Sequence, residues 1–374
     1  MRKGLLLLLA VLLLLPAVSF SEEEAKAYLI CPMDSTEALS EHCAEERFSV
    51  AGLSKLPAIL TLCHAIDNGW LSLTDTVTCS KRACSVNGPT AFLETGETVL
   101  AEELLKAAVM ISAGDAIYAL MEHAFGSETV FLENVSVLLR ELDISVPYTD
   151  ALGRETDLSC AELCRLGMRA VQSESFCRYA ATYQDVLTHA DGRITELVSP
   201  NRMIRSLEGC IGVLTGSSNE DGYCAVIAAK RGEEAYVAAL IGAKTSEQRF
   251  SRLTQLFDEV YANYALKTPA RQGEALVTAY PVEGGETKTV DLLSEDTVVL
   301  LLPKNGQSLT VVTDLAESLF APLEKETAVG TASFLNEAGE TLAVTRLYPK
   351  EDVPSFGVVE VMKRFAAAFV GIAQ

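Results

Sequence analysis

Apolar residues recur along this chain with two periods, and the change from one to the other divides it. Leu56, Ile59, Leu60, Cys63 and Ile66 fall at helical spacing, so a helix is expected over 51–66, with Asn68-Gly69 as its stop. Residues 102–110 and 116–125 carry the same period, and Ile111-Ser112-Ala113-Gly114-Asp115 interrupts it with small side chains. Further helices are expected over 128–142, 161–170 and 249–264. Residues 27–31 read as a short strand. Beyond Leu207 the pattern turns β-rich at 210–214, 223–230 and 235–241, punctuated by Gly216-Ser217-Ser218-Asn219 and Arg231-Gly232. The expected class is α/β (α+β): an antiparallel sheet flanked by helices, with a helical insert.

Lys267-Thr268-Pro269 reads as a linker. Over 274–350 short alternating runs are divided by Gly284-Gly285, Asn305-Gly306 and Ala338-Gly339, which predicts a small all-β sandwich. The ends read differently. Arg2 and Lys3, the apolar run 5–15, Pro16, and the small residues Ala17 and Ser19 predict a signal peptide over 1–19. In the tail, Val358, Val361, Met362, Phe365, Phe369 and Ile372 share a helical face beside Lys363 and Arg364. A C-terminal amphipathic helix is expected over 356–374, lying on a membrane surface or docked on the protein's own body. The expected division is 1–19, 22–266, 274–350 and 356–374.

The length of 374 residues fits two domains, and 49% apolar residues suffice for a large core. Thirty Lys and Arg against 51 Asp and Glu give a net charge of -21, a field that repels nucleic acid. All ten cysteines precede residue 225. An even number in an exported chain suggests disulfides, with Cys79–Cys84 and Cys210–Cys224 the first pairs to test. Cys160 and Cys164 have no second close pair and read as core-facing; His42, His64, His123 and His189 form no metal motif. No cofactor is implied.

Candidate chemistry centres on Val50 to Pro57, V-A-G-L-S-K-L-P, which follows Glu45-Glu46-Arg47. With F-L-E-T-G-E-T-V (Phe92 to Val99), E-E-L-L-K (Glu102 to Lys106), I-S-A-G-D-A (Ile111 to Ala116), E-H-A-F-G-S (Glu122 to Ser127), N-R-M-I (Asn201 to Ile204), L-T-G (Leu214 to Gly216) and G-Y-C (Gly222 to Cys224), it resembles the D-alanyl-D-alanine carboxypeptidases, the low-molecular-mass penicillin-binding proteins. The resemblance spans nearly all of the chain that follows the leader.

That resemblance implies three motifs. In the first, S-x-x-K, the serine attacks the D-Ala-D-Ala peptide bond and the lysine is its base. Here the tetrad is Gly52-Leu53-Ser54-Lys55, and glycine cannot be acylated. Ser54 is the substitute at hand, but neighbours on a helix diverge by about 100°, so it should point away from the cleft that Lys55 faces. The second motif, S-x-N, reads Ser112-Ala113-Gly114: the serine remains and the amide is absent. Asp115 reads as a helix cap. The third, K-T-G, reads Leu214-Thr215-Gly216, so an apolar group replaces the lysine that attracts the substrate carboxylate. Lys244-Thr245-Ser246 comes two strands too late to take its place.

The expected protein is an exported carboxypeptidase homologue of peptidoglycan metabolism without acyl transfer. Lys55 and Ser112 would be vestigial catalytic groups, and Gly114, Leu214, Thr215 and Gly216 would sit at the substrate pocket. It would bind peptidoglycan stem peptide or a cell-wall protein. The alternative is a working serine carboxypeptidase using Ser54.

Overall fold

The computed structural model describes residues 25–305, 308–357 and 362. The expected signal peptide lies outside the described residues, as does the expected tail helix apart from Phe356, Gly357 and Met362. The chain divides into two units, 1–258 and 259–374.

The first unit is built on a five-stranded antiparallel sheet, in the order Ser40–His42, Ala27–Pro32, Glu234–Ala243, Gly222–Arg231, Cys210–Ser218. The three C-terminal strands arise at the predicted β-rich runs and are buried through their central residues. Turns at 219–221 and Gly232-Glu233 make them hairpins, so Gly216, Ser217 and Ser218 are strand and not the expected turn. Five helices hold the apolar core against the sheet: α1 (Leu56–Asp67), α2 (Ala101–Ile111), α3 (Gly114–Phe125), α4 (Glu128–Glu141) and α5 (Cys160–Val171). Two of them start from a clear local cause. Ser127 accepts from the N–H of Val130 at the start of α4. Ser159 and Glu162 form a capping box on α5, and Glu162 also takes a two-pronged bond from Arg47. Cys160 and Cys164 face the core as expected, both fully buried.

The expected helix over 51–66 is two elements. Residues Ala51–Lys55 form a 3-10 turn, and the α-helix begins at Leu56. The cause is Pro57, which has no N–H to give to the carbonyl four residues back. The turn closes instead through Leu53 N–H to Val50 O (3.1 Å) and Leu56 N–H to Leu53 O.

All ten cysteines are free thiols, which corrects the expected disulfides. Cys224 lies opposite Gly216 while Cys210 lies opposite Ala229. At about 3.3 Å of rise per residue, that register holds the two thiols far beyond bonding reach. Cys79 is buried in the apolar core and Cys84 is only partly covered. Among the described residues no group of His, Cys, Asp and Glu is arranged to hold a metal.

The second unit is all-β. A six-stranded sheet runs Thr310–Asp314, Gly330–Leu335, Thr341–Pro349, Thr289–Ser294, Ala275–Glu283, Leu319–Phe320, and a separate pair joins Tyr264–Ala270 to Val298–Pro303. Residues 267–269 are therefore strand, not linker. Pro269 sits where the register slips between Lys267 and Ala270, a place that asks no N–H of it.

Candidate functional site

A cavity of about 480 Å³ opens between the 3-10 turn, the α2–α3 junction, a loop at 152–156 and the sheet's edge strand Cys210–Ser218. The turn and the strand touch backbone to backbone. A Cβ on Gly216 would come 2.7 Å from the Gly52 nitrogen, so only glycine permits this approach.

Lys55 is buried, and its Nζ donates to the Ser112 carbonyl at 2.9 Å. Ser112 closes α2 in the left-handed region, φ 55°, which turns that carbonyl toward the amine. Burial first, and the nearby Arg154 cation second, push the Lys55 ammonium down to about 8; the Asp115 charge acts in the opposite direction. Asp115 is committed elsewhere. Its carboxylate accepts from the N–H groups of Ala91 (2.8 Å), Leu93 (3.2 Å) and Ala116 (2.8 Å), so it ties the 91–93 segment to α3; the helix N-cap itself is Ala113.

Ser54 borders the same cavity, against the expectation that it turns away. The 152–156 loop covers that side of the turn. The Ser54 hydroxyl donates to the Leu152 carbonyl at 3.2 Å, and Tyr148 donates to the Ser54 carbonyl at 3.0 Å. The proton a nucleophile must surrender is thus directed at a carbonyl and not at Lys55.

Gly52, Ser54, Lys55, Ser112, Thr215 and Gly216 all line the cavity; Gly114 and Leu214 do not. Leu214 puts no apolar group in the cleft: it is 3% exposed and packs in the main core. At Gly114 the space is already filled, because a Cβ there would meet Val86 Cγ1 at 2.7 Å and Leu152 Cδ1 at 3.4 Å. Thr245 of the later lysine-threonine pair caps the following helix, its Oγ1 accepting from Gln248 N–H.

Two cations went unread in the sequence. Arg154 follows a turn glycine on the cavity rim. Arg249 lies in the cavity wall, 4% exposed, donating to the carbonyls of Gly216 (3.2 Å) and Cys224 (3.0 Å). Burial pushes its guanidinium down to about 10. The available signal was spacing: Arg249 shares a helical face with Leu253 and Leu256, both buried. Arg249 Nε and Thr215 Oγ1 are shut from solvent with no hydrogen-bond partner among the described residues.

Residues 16–245 match the family model "D-alanyl-D-alanine carboxypeptidase". The chain belongs to that family. Residues 264–355 match "Penicillin-binding protein 5, C-terminal domain", so the β-unit is also a family feature. Among curated relatives, DacF of Bacillus subtilis is 28% identical over 348 residues, covering 91% of this chain and 89% of the relative. DacC of Escherichia coli is 25% identical, covering 89% and 85%; both are described as D-alanyl-D-alanine carboxypeptidases. Penicillin-binding protein 5 of Haemophilus influenzae has the same fold, with a TM-score of 0.72 over 89% of this chain and 98% of that one at 20% identity. A peptidoglycan synthesis regulatory factor from Streptococcus pneumoniae follows at 0.67, with 88% and 99% covered and 20% identity. This is a carboxypeptidase-like protein of peptidoglycan, and its family acts on cell-wall peptides, outside the cytoplasm.

Proposed function

We propose that this member binds cell-wall peptide without cleaving it. The observation that carries the reading is that no hydroxyl among the described residues is hydrogen-bonded to the Lys55 amine, whose bond goes to the Ser112 carbonyl. Residue 52, at the family's nucleophile position, has no side chain, and the Ser54 hydroxyl is bonded to the Leu152 carbonyl. Loss of the nucleophile alone costs on the order of 10⁶ in rate in a serine hydrolase. The binding capacity rests on Thr215 and Arg249, whose buried unpartnered atoms suit a carboxylate such as that of a stem peptide. The chain is exported by its leader, residues 1–19, and its C-terminal segment, 356–374, serves as a peripheral membrane contact. A cell-wall protein is the alternative ligand.

Calorimetry with a pentapeptide ending in D-Ala-D-Ala tests the reading. Saturable heat with no released D-alanine is expected; turnover would sink it. One observation favours a second reading: Ser54 does border the cavity beside Lys55. In that case a fluorescent penicillin would label the protein, and Ser54→Ala would abolish the label.

A further inference from the structure

Lys55 is a buried amine, and Asp115, whose charge acts on it, is committed to three backbone N–H groups. The amine makes a hydrogen bond to a carbonyl and no ion pair among the described residues. Desolvation and a neighbouring cation together are what turn a lysine into a nucleophile at neutral pH. At pH 7.4, lowering from an ordinary value of about 10.4 to about 8 raises the free-amine fraction on the order of 10²-fold. Space is available next to the amine's own turn. A Cβ on Gly52 would meet only the Gly216 Cα, at 3.6 Å. The same cavity holds the two buried polar groups without partners, Arg249 Nε and Thr215 Oγ1; their residues are 4% and 7% exposed. One guanidinium N–H and one hydroxyl left without partners in a cavity wall suit an oxyanion.

The geometry points to carbonyl capture: Lys55 forms a reversible imine with a small 2-oxo acid, whose carboxylate is held by Thr215 and Arg249. The neutral amine attacks the keto carbon, a C–N bond forms, and the carbonyl oxygen leaves as water once it has taken up the amine protons. No oxidant or reductant takes part, and hydrolysis returns both reactants. The carboxylate seat, Thr215 and Arg249, is shared with the stem-peptide reading and rests on it; the imine at Lys55 is separate from that reading.

The test is reductive trapping. The full chain is incubated with pyruvate and sodium cyanoborohydride, which delivers hydride to the imine and fixes it as a carboxyethyl-amine; peptide mapping then ranks the lysines. Lys55 is expected to be labelled about tenfold faster than surface lysines, and Lys55→Met to lose that fast label alone. Acetone at equal concentration, a ketone without the carboxylate, should label Lys55 several-fold more slowly. Labelling of Lys55 no faster than surface lysines overturns the imine. Equal rates with acetone overturn the carboxylate anchor. Absence of fast Lys55 labelling leaves a pentapeptide heat undisturbed, so failure of the imine and failure of the peptide-binding reading are separable, whereas equal rates with acetone count against the carboxylate seat that both use.

Discussion

Two lysines of the first unit are equally buried, each 7% exposed, and they are held in opposite ways. Lys106, on α2, reaches Glu103 at 3.0 Å and Asp185 at 3.5 Å. Lys55 reaches a neutral carbonyl, with the Arg154 cation nearby. A buried ammonium is costly unless an anion meets it. The first lysine is neutralised and structural. The second holds its charge at the expense of stability.

The largest expected effect is therefore a gain. The unfolded chain keeps the lysine proton to about pH 10.4, whereas folded Lys55 releases it at about 8. Between those values the unfolded state binds more protons, so this group makes stability rise with pH, and its full penalty applies below pH 8. Lys55→Met removes the penalty. Allowing for the Ser112 carbonyl left without its donor, it should stabilise the first unit by about 2 kcal/mol at pH 7. The gain should fade as pH approaches 10. Urea unfolding at three pH values measures this, and a loss of stability at pH 7 would break the contrast. Lys106→Met should act the other way. It strands two carboxylates, but those are partly exposed, so solvent screening limits the cost to about 1 kcal/mol.

The sequence showed where Lys55 sits and not what surrounds it. Helical period placed α1 to α5, and β-rich runs divided by turn signals placed the three C-terminal strands. Those signals are local, and a local pattern predicts a local element. Pro57 could have split the first helix, since a missing N–H acts within one turn. The hairpin of Gln184–Thr188 with Ile194–Val198 was missed, although Asp191-Gly192 is an ordinary turn signal between alternating residues. The site was harder because its partners are far apart in sequence. Lys55 meets Ser112, Ser54 meets Leu152, and Arg249 meets Gly216. Motif spacing brought Lys55, Ser112, Thr215 and Gly216 to one place. It said nothing of Val86 and Leu152 filling the space at Gly114, or of the core taking Leu214. Those facts depend on which side chains the fold brings together.

Arg154→Gln tests whether a neighbouring cation helps set the Lys55 amine apart from Lys106. Arg154 is 55% exposed, so water screens much of its influence. The midpoint of Lys55 labelling with pH should rise by a few tenths of a unit, and no change would assign the lowering to burial alone.

The smallest effect on stability is expected from Gly52→Ser, and it sharpens the contrast most. A Cβ there meets nothing closer than 3.6 Å, and the backbone does not occupy the left-handed region reserved for glycine, so stability should stay within about 0.5 kcal/mol. The hydroxyl would stand on the turn that presents Lys55, three residues before it. If the amine is a competent base that lacks only a partner, a fluorescent penicillin should slowly acylate the introduced hydroxyl in this variant and leave the native chain unlabelled. Gly114→Asn is the opposing control. It must displace Val86, so it should cost about 1–3 kcal/mol and add no acylation. Labelling of the native chain would place an active hydroxyl in the cavity. A silent Gly52→Ser variant that folds normally would show that Lys55, unlike an activated catalytic amine, has lost the geometry of a base.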